Sequence, residues 1–212
     1  LDEPMSDLDA QLKERLRVEL QRLHNRLDTT IIYVTHDQTE AMAMSDEIIL
    51  MNEGRIEQVS NPDKMFNQPK TEHVAKFIGT PSTNIIDYEV EDEEIRLPNL
   101  GKTVDIPLSA TIKDSARIGI RPRKFKINSG DIQFRITVDV IESLGNEYVL
   151  HSSTEEGGTL DIVVKDVDNI STGESLLVGV DLNNLYIFDD DGTKQEGWDA
   201  ATDGQTQNLR NV

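Results

Sequence analysis

The sequence contains no cysteine, which excludes disulfides and every metal or redox site built on thiolates, and fits a reducing compartment. No apolar run reaches the length of about 18 residues from which a bilayer-spanning helix is read, and no signal-peptide pattern is present, so the expected membrane role is peripheral. Basic residues are scarce: 21 Lys and Arg face 40 Asp and Glu, for a formal charge of −19. That lies far outside the magnitude of about 2 to 8 that suits a small soluble domain, and such a surface repels nucleic acid and anionic lipid. It is the kind of surface that salt-adapted proteins carry, where salt screens the self-repulsion. Hydrophobic residues still make up 36% of the chain, and their arrangement in periodic blocks separates it from a disordered acidic tract. A length of 212 residues suits two domains, each with its own core.

Leu8, Leu12, Leu16, Leu20, Leu23 and Leu27 recur at spacings of three and four and so define one face of a helix. Ser6, three residues before Asp9, is expected to cap it in a capping-box-like arrangement. Lys13, Glu14, Arg15, Arg17, Glu19, Gln21 and Arg22 fill the solvated face. The β-branched, nearly continuous apolar run 30–35 predicts a strand covered on both sides, as in a parallel sheet. A short helix over 38–44, a strand at 47–51, a turn at Asn52-Glu53-Gly54 and a returning strand at 55–59 follow. This order is that of an α/β layered domain, although the strands are too few to complete its sheet. Helices are predicted over 62–67, opening with Pro62, and over 71–78.

After Gly79-Thr80-Pro81-Ser82 the periodicity changes to that of strands. Strands are predicted at 84–90, 103–106, 116–120, 132–143, 147–152, 159–164, 175–180 and 185–188, separated by turn residues as in a small barrel or sandwich. The expected organisation is thus an α/β domain over 1–79, an all-β domain over 80–188 and a polar, poorly ordered tail over 189–212, which holds Trp198. His24, His73 and His151 show no metal-site spacing and read as ordinary helix or strand residues. Tyr33, on the apolar run, reads as core.

Leu1-Asp2-Glu3-Pro4, Ser6-Asp7-Leu8-Asp9 and Tyr33-Val34-Thr35-His36-Asp37-Gln38, at these separations, resemble the Walker B end, the D-loop and the H-loop of an ABC-transporter ATPase. Glu40-Ala41-Met42-Ala43-Met44-Ser45-Asp46 and Met51-Asn52-Glu53-Gly54-Arg55-Ile56-Glu57-Gln58 narrow the likeness to the sugar-importer branch related to the maltose-transporter ATPase. Gly119-Ile120-Arg121-Pro122 and Leu144-Gly145-Asn146-Glu147 resemble its regulatory β-domain, called TOBE. The resemblance implies an incomplete P-loop NTPase-type α/β domain followed by an all-β OB-like barrel. It also implies that Asp2 organises Mg²⁺, usually through water, since a hard cation prefers carboxylate and water oxygens. Glu3 is then the general base that polarises the attacking water, and His36 contacts the γ-phosphate as a switch. Ser6 and Asp9 fall on the D-loop, which in this family lies at the dimer interface and communicates between two nucleotide sites.

The implied cofactors are ATP and Mg²⁺. The implied partners are a second copy or paired ATPase subunit, transmembrane permease subunits and a solute-binding protein, with the ATPase peripheral on the cytoplasmic face of the membrane. The imported solute is expected to be a sugar or a related compound. No G-x-x-x-x-G-K-[ST] loop occurs in the sequence, and the signature motif and Q-loop of the family are absent, so these residues alone are not expected to hydrolyse ATP. Leu1 is not methionine, which favours a fragment of a functional ATPase. The alternative is a naturally short, non-catalytic protein in which the β-domain serves regulation or dimerisation. A fragment also exposes the apolar face of the leucine helix and is expected to associate.

Overall fold

In the computed structural model, residues 1–27, 29–91, 94–104 and 115–195 are described. They fall into two compact units, Leu1–Pro69 and Lys70–Val212.

The first unit contains helix α1 (Ala10–His24), helix α2 (Gln38–Met44), the hairpin strands β1 (Ile48–Asn52) and β2 (Arg55–Ser60), and helix α3 (Pro62–Asn67). The leucine periodicity correctly places α1, but its N-cap is Asp9 and not Ser6: the Asp9 carboxylate accepts the Leu12 N–H at 2.9 Å. Helix geometry decides this, because a cap must stand immediately before the first helical residue to reach the orphan amides. No residue of α1 is buried, and Leu12, Leu16, Leu23 and Leu27 remain exposed. The two-residue turn between β1 and β2 has positive φ at both Glu53 (48°) and Gly54 (77°), the requirement of a tight hairpin whose twist matches its strands. α3 begins with Pro62 behind Asn61, whose side chain accepts the Lys64 N–H at 2.9 Å.

The strand predicted over 30–35 does not form as a strand. It is reduced to one parallel bridge between Asp2 and Val34, in which Val34 N–H donates to the Leu1 carbonyl (2.8 Å) and Glu3 N–H to the Val34 carbonyl (2.9 Å). The reason is the neighbour: among the described residues only the segment 1–3 lies alongside, too short to extend a ladder. Ile32 and Val34 are accordingly exposed.

The second unit opens with helix α4 (Glu72–Phe77) and continues through strands β3 (Asn84–Glu91), β4 (Glu94–Leu97), β5 (Lys102–Val104), β6 (Ser115–Ile120), β7 (Lys126–Ile127), β8 (Ile132–Ser143), β9 (Tyr148–Ser153), β10 (Thr159–Val164), β11 (Ser175–Val180) and β12 (Leu185–Phe188). Two antiparallel five-stranded sheets result, ordered β10-β9-β8-β11-β7 and β12-β6-β3-β4-β5. Both sheets feed one core, with Ile86, Ile95 and Ile118 from one and Phe134, Leu150 and Ile162 from the other. β8 shows how period-two patterning builds it: Ile132, Phe134, Ile136 and Val138 point inward with exposed or half-buried residues between them. A bulge between Val138 and Val140 then bends the strand and turns Val140 outward. β4 and β7 were not anticipated, being short strands whose existence depends on pairing with β3 and β11. Residues 105 and 106 of a predicted strand, and residues 196–212 of the predicted tail, lie outside the described residues. Residues 189–195 fold back: Lys194 N–H donates to the Lys70 carbonyl (2.7 Å) and Glu72 N–H to that of Gly192 (2.8 Å), seating the start of α4.

Candidate functional site

The bridge between Asp2 and Val34 sets the N-terminal segment beside the residues that lead into His36. Glu3 takes φ of 41°, uncommon for a residue with a side chain, and its Oε1 lies 3.1 Å from His36 Nδ1. Both side chains are open to solvent, His36 at 71% and Glu3 at 45%. Asp2, Glu3 and His36 therefore occupy one exposed edge of the first unit. Ser6 and Asp9 do not join them through their side chains; the Ser6 N–H donates to the Glu3 carbonyl (3.3 Å), and Asp9 is spent on capping α1. Met5, between them and Glu3, is buried and anchors the loop.

A second group of side chains, unforeseen from the sequence, surrounds the backbone that carries His36. Glu40 on α2 is buried, and its Oε2 accepts the hydroxyls of Tyr33 and Thr35, each at 2.8 Å, while Oε1 accepts Lys13 Nζ at 3.2 Å. Burial opposes ionisation of Glu40, but the three donors outweigh it and hold its pKa below the ordinary value. Burial and the adjoining carboxylate push the Tyr33 hydroxyl up, so it stays a donor and ties Tyr33 to α2 through a polar contact besides its packing. Asp37 caps α2 by accepting the N–H groups of Thr39 (2.8 Å) and Glu40 (3.3 Å), and Lys13 Nζ lies 3.6 Å from its Oδ2. Those amides, with Lys13, lower the Asp37 pKa against the effect of burial. The available signal was an acidic residue next to the apolar run Ala41-Met42-Ala43-Met44.

In the second unit the motif Gly119-Ile120-Arg121-Pro122 is structural. Arg121 is buried at 3% exposure, donates to the Ala75 (2.9 Å) and Ile78 carbonyls at the end of α4, and lies 5.8 Å from the Tyr186 ring centroid. Burial lowers its pKa. Glu147, in the other quoted motif, pairs with Arg123 at 2.8 Å, which holds its carboxylate below the usual range. A cleft of about 200 Å³ lies between Ile85 and Ile86 of β3, Asn99 and Leu100, and the 157–160 turn. His151 departs from the plain strand residue expected: its Nδ1 is 2.7 Å from Asp161 and its Nε2 3.0 Å from Glu142.

Among the described residues no three His, Asp or Glu side chains cluster to hold a metal. No helix among them is long and apolar enough to cross a membrane.

Residues 118–188 match the TOBE domain; they lie within the β-rich second unit, which fits the OB-like barrel expected of it. Over nearly its whole length the chain is similar to the sn-glycerol-3-phosphate import ATP-binding protein UgpC of Psychromonas ingrahamii, with 33% identity across 98% of the chain and 57% of that protein. The maltose/maltodextrin import ATP-binding protein MalK of Mannheimia succiniciproducens is 35% identical across 91% of the chain and 55% of its own length. The sulfoquinovosyl glycerol transport ATP-binding protein SmoE of Agrobacterium fabrum is 34% identical across 89% and 54%. The chain spans about half the length of these curated relatives. Over most of its length the chain is homologous to ABC import ATP-binding proteins of the UgpC and MalK type.

Proposed function

We propose that these residues supply the Walker B end, the D-loop, the switch histidine and the regulatory domain of an ATP-hydrolysing subunit that energises import of a sugar or a related solute. The observation that carries the reading is the approach of Glu3 to His36 across the Asp2–Val34 bridge. It supports an α/β nucleotide-binding unit of P-loop NTPase type in which residues distant in sequence meet at one exposed edge. Asp2 would hold Mg²⁺ through water. With no three-ligand cluster among the described residues, the remaining ligands would be water and phosphate oxygens, the coordination Mg²⁺ favours. Bound ATP would supply the phosphoryl group, and its Mg²⁺ would neutralise charge on the phosphate oxygens. Glu3 takes up the proton of the attacking water on its carboxylate. His36 orients that carboxylate through Nδ1 and presents the rest of its ring to solvent. Ser6 and Asp9 sit on the loop that would face a second ATPase subunit.

In this reading the subunit works as a pair on the cytoplasmic face of the membrane, with permease subunits and a solute-binding protein. Residues 1–212 alone, lacking a phosphate-binding loop in their sequence, hydrolyse nothing. The deciding experiment is steady-state ATP turnover by the ATPase subunit containing these residues. Glu3→Gln should lower it by about a hundredfold or more while ATP still binds, and His36→Ala should do likewise. Undiminished turnover in both variants refutes the roles assigned to Glu3 and His36, and absence of turnover in the unaltered subunit favours a non-catalytic regulatory or dimerisation protein.

A further inference from the structure

We infer that Glu40 is a positioning residue for His36, fixing the backbone on both sides of it and tying that segment to α1. This deepens, and rests on, the ATPase reading above. A carboxylate at 5% exposure is tolerated only when its oxygens are satisfied, and Glu40 is satisfied by the segment that needs fixing. Tyr33 and Thr35 donate to one oxygen, and Lys13 donates to the other. Thr35 in turn accepts the Asp37 N–H on its hydroxyl at 3.0 Å, and Asp37 is held by its cap on α2 and by Lys13. Both chain neighbours of His36 are therefore pinned. The ring is open to solvent and has little packing of its own, so its place follows from the backbone. Lys13 lies in the opening turn of α1, the helix that Asp9 caps. One buried carboxylate thus links the histidine segment to the helix that continues from Ser6 and Asp9.

The test uses the ATPase subunit containing these residues, assembled with its permease, and a single-turnover assay sensitive enough to quantify the residual rate of His36→Ala. Glu40→Gln keeps the volume but removes the charge; it should lower kcat about tenfold with KM for ATP within about twofold, since small displacements of a reacting group are costly. Lys13→Met, at a half-buried position, should lower kcat about threefold with the same unchanged KM, and decides the matter if Glu40→Gln does not fold. Neither change should lower the rate further in the His36→Ala background, because residues that act through one group are not additive. Two results overturn the inference: turnover per folded molecule preserved in both variants, or a full additional loss in the His36→Ala background. Normal turnover by His36→Ala itself would instead sink the role that the reading above gives His36.

Discussion

Arg121 Nη1 lies 2.9 Å from the Ala75 carbonyl, so a guanidinium carried just beyond β6 caps the C-terminal end of α4 across 46 residues of sequence. Thr83 donates to the same carbonyl at 2.6 Å, and Arg121 also reaches the Ile78 carbonyl. The last carbonyls of a helix have no partner within it and carry its partial negative charge, so a cation there is doubly favoured. Arg121→Ala removes charge-assisted bonds and leaves a buried void under Tyr186. We expect a loss of about 3 kcal/mol, read as a lowered urea midpoint of the second unit. A change below about 0.5 kcal/mol would show that α4 is held by its apolar contacts alone.

Gly119 is needed for a reason of space. A Cβ at this position of β6 would stand 2.8 Å from Phe188 Cε2 and 3.3 Å from Thr83 Cγ2. Phe188 is fully buried and cannot swing away. Gly119→Ala should therefore destabilise the unit by about 1–3 kcal/mol through overpacking, measured by the same denaturation. Phe188→Leu in the Gly119→Ala background should recover part of that loss, and the absence of any recovery would place the clash elsewhere.

These two residues were legible only as a motif. Gly119-Ile120-Arg121-Pro122 marked the domain, but nothing in four residues tells that Arg121 turns to α4, because its acceptors lie more than 40 positions upstream. The leucine spacing placed α1 well, since helix periodicity is local; the identity of its cap was missed by three residues. The expected strand at 30–35 failed because a strand exists through its neighbour, and among the described residues only Asp2 forms a bridge with it, at Val34. Glu3 and His36 were named only through the family resemblance of the motifs that hold them, and their approach needed only the short bridge between their segments. Glu40 was missed as a site residue because a buried acid is intelligible only beside its donors. His151 was missed similarly, since the register that sets it opposite Asp161 is a property of paired strands.

His151 gives the sheet a pH dependence of definite sign. Glu142 on β8 and Asp161 on β10 bracket its ring, and hydrogen bonding to Glu142 first, then to Asp161, raises its pKa above the ordinary value despite some burial. A group with a raised folded-state pKa stabilises fully below its unfolded value of about 6.5, and that stabilisation is lost as pH rises through the folded value. His151→Gln should therefore lose stability at pH 6 and little at pH 9, so the difference between the two proteins shrinks with rising pH. Urea midpoints at both pH values measure this. An equal difference at the two would mean that the imidazolium contributes nothing.

The exposed face of α1 should make a polypeptide of residues 1–212 by itself associate. Leu12, Leu16, Leu23 and Leu27 are 36–47% exposed, and Leu16 and Leu23, seven positions apart, share one face after two turns. Ile32, at 77%, adds apolar surface in the same unit. Contiguous apolar surface of this kind drives association, while the charge of −19 opposes it over about 10 Å at 0.1 M salt. Association should therefore strengthen as salt is raised, because screening removes the repulsion and leaves the apolar attraction intact. Sedimentation velocity should show concentration-dependent growth at 1 M NaCl and a smaller effect at low salt. Leu16→Glu with Leu23→Glu should suppress that growth without unfolding α1, as both positions are solvent-facing in the monomer and Glu is a good helix former. Undiminished association in the double variant would direct attention to the hairpin residues Ile49, Met51 and Ile56, which are also exposed.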